Sequence, residues 1–160
     1  MHANLAGQYL IRHQGNLAAQ EYETALRIFP DSADTLASYS LLKFQFGDYQ
    51  GASTMMEKAL SLSGRNDLNY DFMVVLYAGI LMKTNRNSEA LEYLNRETKE
   101  SPAYAPAWST RAELNVLRGE LAAGRADAQI SLMLNPRDVQ ALHVLQRLNA
   151  SDPAPAPAPH

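Results

Sequence analysis

The sequence lacks the features of several protein classes. It has no cysteine, which excludes disulfides and thiolate metal sites. It has no basic excess, since 14 Lys and Arg stand against 17 Asp and Glu, for a net charge of −3. A nucleic-acid partner is therefore not expected, because such binding usually shows as a basic stripe. No apolar stretch reaches the roughly 20 residues of a membrane span.

The N-terminus lacks a basic start followed by an unbroken apolar run, so we see no signal peptide. We therefore expect a cytoplasmic location, although a periplasmic one stays open if a leader has been removed.

Catalytic motifs are also missing. There is no H-E-x-x-H, no G-x-S-x-G and no glycine-rich loop of the phosphate-binding kind. None of the four histidines pairs with another at the i, i+4 spacing of a helical zinc site. Carboxylates that lie near each other in the sequence, such as Glu21 and Glu23 or Glu97 and Glu100, are expected on polar, solvated helix faces. The sequence therefore predicts no enzyme activity, no cofactor and no metal site.

Residues 105–138 read as two amphipathic helices joined by a tight turn. The first carries Trp108 and ends before Gly119, because glycine tolerates the left-handed conformation that closes a helix. The second carries Gly124 and apolar residues at helical spacing, and it ends near Pro136. One such hairpin is too small to bury its own apolar face, so it predicts stacking on similar hairpins.

The rest of the chain repeats this pattern. A shift of 34 residues takes Gly124 to Ala90, a shift of 38 takes Ala90 to Ala52, and another 34 leads to Ala18. About four residues are thus inserted near 66–70. In its period, its Trp, its small residues and its closing Pro, the chain resembles the tetratricopeptide (TPR) repeat.

The resemblance implies an all-α, right-handed TPR superhelix of about four helix-turn-helix repeats plus a C-terminal capping helix. The repeats would span about 1–32, 33–66, 71–104 and 105–138, with the cap at 138–149. Their small residues, at 18, 52, 90 and 124, would set the close helix contacts. Residues 150–160 are rich in Pro and Ala, which favour extended polyproline II, and we predict a disordered tail.

The helices themselves are predicted at 3–13, 16–28, 33–45, 49–62, 70–83 and 88–99, besides the hairpin of 105–138. Gly15 and Asn16 would form a turn in which Asn16 caps the next helix, and Asp48 would cap the helix after it. Asn85 replaces the turn glycine of the third repeat. Glu97 and Thr98 stand where other copies have Ala-Leu or Ser-Leu, so their helix should end loosely. Apolar residues of the cap, Leu142, Leu145 and Leu148, would cover the last repeat.

In the family, the first helix of each repeat lines an inner groove that holds a partner peptide. At these positions we predict a mostly apolar partner-binding groove with a few polar points, formed by Ile11, Leu41, Phe44, Gln45, Val75, Met82, Lys83, Glu113, Val116, Leu117 and Arg147. Some members hold a peptide carboxylate with a Lys, Arg and Asn clamp. Phe72 and Leu76 stand at two clamp positions here, which argues against that type of receptor.

We therefore predict a non-catalytic module that binds a partner protein, as a peptide or an amphipathic helix. In size and groove character it is similar to small TPR chaperones of bacterial secretion systems, and a component of a pilus or envelope assembly fits as well. Three alternatives stay open: some groove side chains pack between repeats, the tail folds back into the groove, or the chain is a scaffold that self-assembles through its ends.

Overall fold

The computed structural model describes residues 14–151 together with His2, Leu5, Ala6 and Tyr9. Those four residues are helical. Within residues 14–151 the chain forms eight helices and no strand: α1 (Gly15–Ile28), α2 (Ala33–Gln45), α3 (Tyr49–Leu62), α4 (Tyr70–Lys83), α5 (Asn87–Glu100), α6 (Ala105–Leu117), α7 (Leu121–Leu134) and α8 (Val139–Ser151). The predicted bounds of α2, α3 and α4 are confirmed. The first predicted helix, 3–13, and the predicted tail lie mostly outside the described residues.

Local signals fix where these helices begin and end. The Asp48 carboxylate accepts a hydrogen bond from the backbone N–H of Gly51 at 2.9 Å, so it caps α3 as predicted. Three of the turns each contain one residue in the left-handed conformation: Gly47 (φ 81°), Asn85 (φ 60°) and Gly119 (φ 82°). The expectation that Asn85 takes the place of glycine is therefore confirmed.

The start of α1 differs from the prediction. Gly15 is already helical and lacks a left-handed φ, and Gln14 is the N-cap residue, so the predicted turn at Gly15 with Asn16 as cap is wrong. A Cβ built at Gly15 would overlap the ring of Phe46, so the glycine lies at a contact between α1 and the residue after α2. A glycine inside a helix cannot be told in the sequence from a glycine that forms a turn.

The chain divides into two compact units, residues 1–86 and residues 87–160. In unit 1, α2 packs against α3, α3 against α4, α1 against α2, and α2 also contacts α4. Its core includes Ala6, Ala18, Tyr22, Tyr39 and Leu42. The rings of Tyr22 and Tyr39 stack with centroids 5.5 Å apart, which joins α1 to α2.

In unit 2, α6 packs against α7, α7 against α8, α5 against α6, and α6 also contacts α8. Its core includes Ala112, Ala128, Ala141, Val144 and Leu148. The predicted role of Leu142 is wrong: its side chain is 49% exposed, and Ala141 and Val144 cover the repeat in its place.

The end of α5 also corrects an expectation. Glu97 and Thr98 are both buried, and the helix continues past them to Glu100. Thr98 Oγ1 donates to the carbonyl of Leu94 at 2.9 Å and accepts from Arg111 Nη1 at 2.6 Å. A polar residue that finds partners at a helix end secures that end, so the predicted loose end is wrong.

The small residues of the repeat lie at the contacts, as expected. Ala18, Ala52 and Ala90 are all fully buried. Gly124 is buried as well, and a Cβ there would lie 2.7 Å from Val116 Cγ2 and 3.0 Å from the Ala112 carbonyl oxygen. The axes of α6 and α7 therefore approach each other at Gly124 more closely than an alanine would permit.

Replacing Gly124 with alanine is expected to destabilise the protein by about 1–2 kcal/mol, because overpacking outweighs the gain in helix propensity. The matched control is Gly79→Ala in α4, where a Cβ would meet nothing within 4 Å. We expect this control to stabilise by about 0.5–1 kcal/mol. Urea unfolding followed by circular dichroism measures both, and equal shifts of the same sign would contradict the close approach at Gly124.

Candidate functional site

The accessible side of α4 is apolar. From Asp71 to Lys83, the residues with accessible surface fall within about 140° of the helix circumference, at 100° per residue. Between the two charged ends this face consists only of Phe72, Val75, Leu76, Gly79 and Met82, which we name the α4 stripe. The opposite side is buried, so solvent meets an uncharged helix face along almost the whole of α4.

The stripe is held in place from behind by a polar network. Tyr77, on the buried side of α4, donates its hydroxyl to Glu57 Oε1 of α3 at 2.7 Å. Arg86, after α4, donates to Glu57 Oε1 and to Ser53 Oγ, both at 3.1 Å. The Tyr77 hydrogen bond, with those from Arg86 and Ser53, lowers the pKa of Glu57 below its ordinary value despite some burial. The network thereby joins α3, α4 and the turn that follows.

The face of α2 adjoins the stripe within unit 1. Its accessible residues at helical spacing are Asp34, Ser38, Leu41 and Gln45. The Asn69 amide, at the start of α4, donates to Asp34 Oδ1 at 3.0 Å, which ties the N-terminal ends of α2 and α4 together. The predicted groove residues of this unit that the structure describes therefore come from two helices that contact each other.

The structure places the predicted groove residues of unit 1 as follows. Val75 and Met82 are half-buried members of the stripe, and Lys83 is exposed at its end. Leu41 is half-buried and Gln45 exposed on the face of α2. Phe44 is half-buried, with its ring 5.5 Å from that of Tyr49 at the start of α3. Ile11 lies outside the described residues.

The predicted groove residues of unit 2 lie on α6 and α8. Glu113 accepts a hydrogen bond from the Gln140 amide of α8. Val116 packs against the core cluster of α6, α7 and α8. Leu117 is 55% exposed at the end of α6, and Arg147 is exposed on α8.

Sequence reasoning left Phe72 and Leu76 out of the groove, having weighed them only as clamp positions. Phe72 is 44% exposed and Leu76 is half-buried, both on the same face as Val75 and Met82. The sequence does contain a signal for them, because one helix face has the spacing of residues 72, 75, 76, 79, 82 and 83. It was missed because the family's positions, rather than the helix's own periodicity, guided the choice.

Two further features are missing from the residues that the structure describes. Among them, no group of three His, Cys, Asp or Glu side chains is placed to hold a metal ion. Within residues 14–151 and the four described residues before them, no helix combines the length and the apolar character that crossing a membrane requires.

Known structures match the chain closely in fold. The match with MamA from Desulfovibrio magneticus RS-1 covers 94% of this chain and 82% of that one, with a TM-score of 0.77 and 21% identity. The chain also matches YrrB, a TPR protein with an unusual peptide-binding site, with a TM-score of 0.70, 18% identity, and 96% and 86% of the two chains covered. The chain has the tetratricopeptide-repeat fold. The predicted all-α repeat fold is thereby confirmed.

A third match is PilF from Pseudomonas aeruginosa, with a TM-score of 0.80, 22% identity, and 94% of this chain and 67% of that one covered. No family model matches the sequence, and no curated protein matches it. At these identities the similarity concerns the fold alone.

Proposed function

We propose that the protein is a non-catalytic interaction module that binds a segment of a partner protein on the α4 stripe and the adjoining face of α2. The observation that carries this proposal is the apolar accessible face of α4. A soluble helix normally presents charged and polar residues to solvent, and contiguous apolar surface on such a helix usually marks a binding site. The peptide-binding site of YrrB, a protein of the same fold, supports the proposal.

Within this function we propose a chaperone or assembly adaptor, as the apolar groove suggested. A face of Phe, Val, Leu and Met without hydrogen-bonding side chains suits segments that would otherwise aggregate. A partner of this kind would come from a secretion, pilus or envelope assembly.

The test replaces Phe72 with glutamate. Because Phe72 is 44% exposed, the change should leave the fold intact while placing a charge on the stripe. We expect recovery of co-purifying proteins to fall about tenfold or more, since loss of a large aromatic contact residue at an interface costs about 1.4 kcal/mol or more. Quantitative mass spectrometry of affinity-purified material from wild type and variant gives the measurement.

The matched control is Leu68→Glu, because Leu68 is fully exposed in the loop just before α4 and outside the stripe. It introduces the same charge on the same unit. If Phe72→Glu and wild type recover equal amounts of co-purifying protein, the α4 stripe does not bind the partner.

Self-assembly is the second candidate, and the outer face of α8 favours it. α8 starts 34 residues after α6, at the register of another first helix. Val139 and Leu142 then correspond to Ala105 and Trp108, yet they are 77% and 49% exposed. If this face joins copies, sedimentation velocity will show a mass that rises with concentration in wild type and stays monomeric in Leu142→Glu. A wild-type monomer at every concentration would exclude it.

A further inference from the structure

The α4 stripe also indicates what kind of segment occupies it; this inference rests on the proposed function. Asp71 lies in the first turn of α4 and Lys83 in the last, about 18 Å apart at 1.5 Å per residue. Within the part of the chain that the structure describes, neither side chain forms an ion pair. The stripe is thus an apolar face with an available negative charge at one end and an available positive charge at the other.

The stripe offers nothing to an extended backbone. Between Asp71 and Lys83 its five residues carry no hydrogen-bonding side chain, so an extended segment lying along it would bury N–H and C=O groups without partners. A helix satisfies its own backbone groups. The stripe residues also recur at the helical pitch of about 5.4 Å, whereas side chains on one face of a strand recur at about 6.7 Å.

Gly79 is the position at which an opposing helix can come closest to α4. It lies in the middle of the stripe, between Val75 and Met82, and a Cβ built there would meet nothing within 4 Å. The stripe therefore has a notch one residue wide, into which a large apolar side chain of an opposing helix fits as a knob into a hole.

The charges set the direction of that helix. Helices favour acidic residues in the first turn and basic residues in the last, because these complement the helix dipole. A helix of this ordinary pattern places its acidic start near Lys83 and its basic end near Asp71 only if it runs antiparallel to α4.

We propose that the partner segment is an amphipathic helix of about three turns, bound antiparallel to α4, with a large apolar side chain over Gly79, an acidic first turn beside Lys83 and a basic last turn beside Asp71.

The test uses three synthetic peptides of about 14 residues, titrated into the full-length protein and followed by fluorescence anisotropy. The first has leucines at helical spacing on an alanine background, glutamates in its first turn and lysines in its last. The second exchanges the glutamates and lysines. The third is the first with two central prolines, which prevent a helix. We expect the first to bind about fivefold tighter than the second and about tenfold or more tighter than the third.

The decisive variant exchanges the two charges of the protein, Asp71→Lys with Lys83→Asp, and circular dichroism checks its fold. The first two peptides differ in intrinsic helicity, so a preference in wild type alone would be ambiguous. Inversion of the preference on the exchanged variant supports the proposal, whereas an unchanged preference overturns the antiparallel orientation.

Other outcomes separate this inference from the proposed function. If the proline peptide binds as well as the first and Phe72→Glu abolishes both, the occupant is extended, and only the inference fails. If Phe72→Glu leaves binding unchanged, the proposed site itself fails. Absence of binding by all three peptides overturns the inference, as does a wild-type dimer that Phe72→Glu dissociates, because the occupant is then a second copy of α4.

Discussion

Replacing Ala52 with arginine is expected to unfold unit 1. Ala52 is fully buried in α3, and its carbonyl oxygen accepts a 2.7 Å hydrogen bond from the hydroxyl of Ser40, which is fully buried in α2. An arginine at this contact would bury its guanidinium without a counter-charge or force α2 and α3 apart. Either outcome costs about 4 kcal/mol or more, a large share of a typical stability.

The measurement is thermal and urea unfolding, followed by circular dichroism. Thr54→Arg is the control, because Thr54 is exposed on the same helix and its replacement should change stability by less than about 0.5 kcal/mol. An Ala52→Arg protein that melts like wild type would refute the register in which the small residues of the repeat face the neighbouring helix.

The helices α2, α3 and α4 could be predicted because their ends are encoded locally. Asp48 caps α3, Gly47 closes α2 and Asn85 closes α4 within a few residues of the helix they end. Such signals need no knowledge of tertiary structure, and three helices followed them to the residue. The repeat period then indicated which helices stack.

Contacts between distant residues could not be predicted in the same way. Gly15 carries a turn signal in its sequence context, but it is helical, and its Cα lies against the ring of Phe46, 31 residues later. Leu142 was expected to cover the last repeat, but it is 49% exposed, and Ala141 and Val144 pack in the core with α6 and α7. In both cases the outcome depends on contacts with residues far along the chain, and local sequence does not contain those contacts.

Part of the site was predicted, but the hydrogen bonds that join its helices to the preceding repeats were not. Tyr39 donates to Glu23 at 2.8 Å, and Tyr77 donates to Glu57 at 2.7 Å. Burial, together with the Glu23 hydrogen bond, raises the pKa of Tyr39 to about 12, so the neutral phenol is favoured. Both bonds join the first helix of one repeat to the second helix of the preceding repeat.

In unit 2, Arg111 donates to Asn95 at 3.1 Å between the same repeat positions. The three pairs are separated by 16, 20 and 16 residues, and the insertion near 66–70 accounts for the longer middle one. Polar pairs of this kind recur with the repeat and could be sought in the sequence once its period is known.

Loss of the Asp127 carboxylate is expected to destabilise unit 2 by about 3–5 kcal/mol. Asp127 of α7 is 5% exposed and accepts from Arg111 at two oxygens, from Nε at 2.8 Å and from Nη2 at 2.7 Å. Asn115 donates to it as well, at 2.9 Å. Because the Arg111 side chain is only 18% exposed, Asp127→Ala leaves a largely buried cation without its counter-charge.

The double variant Asp127→Ala, Arg111→Ala separates the pair from its surroundings. If the cost arises from the unpaired charge, removing both partners should recover about 1–3 kcal/mol of the loss in Asp127→Ala, measured by urea unfolding. Gln129→Ala, exposed on the same helix, controls for helix effects and should change stability little. If the losses of free energy in Asp127→Ala and in Arg111→Ala simply add up in the double variant, Arg111 is stabilised without Asp127. Its other contacts would then suffice, namely the hydrogen bonds to Thr98 and Asn95 and the Trp108 ring 4.8 Å away.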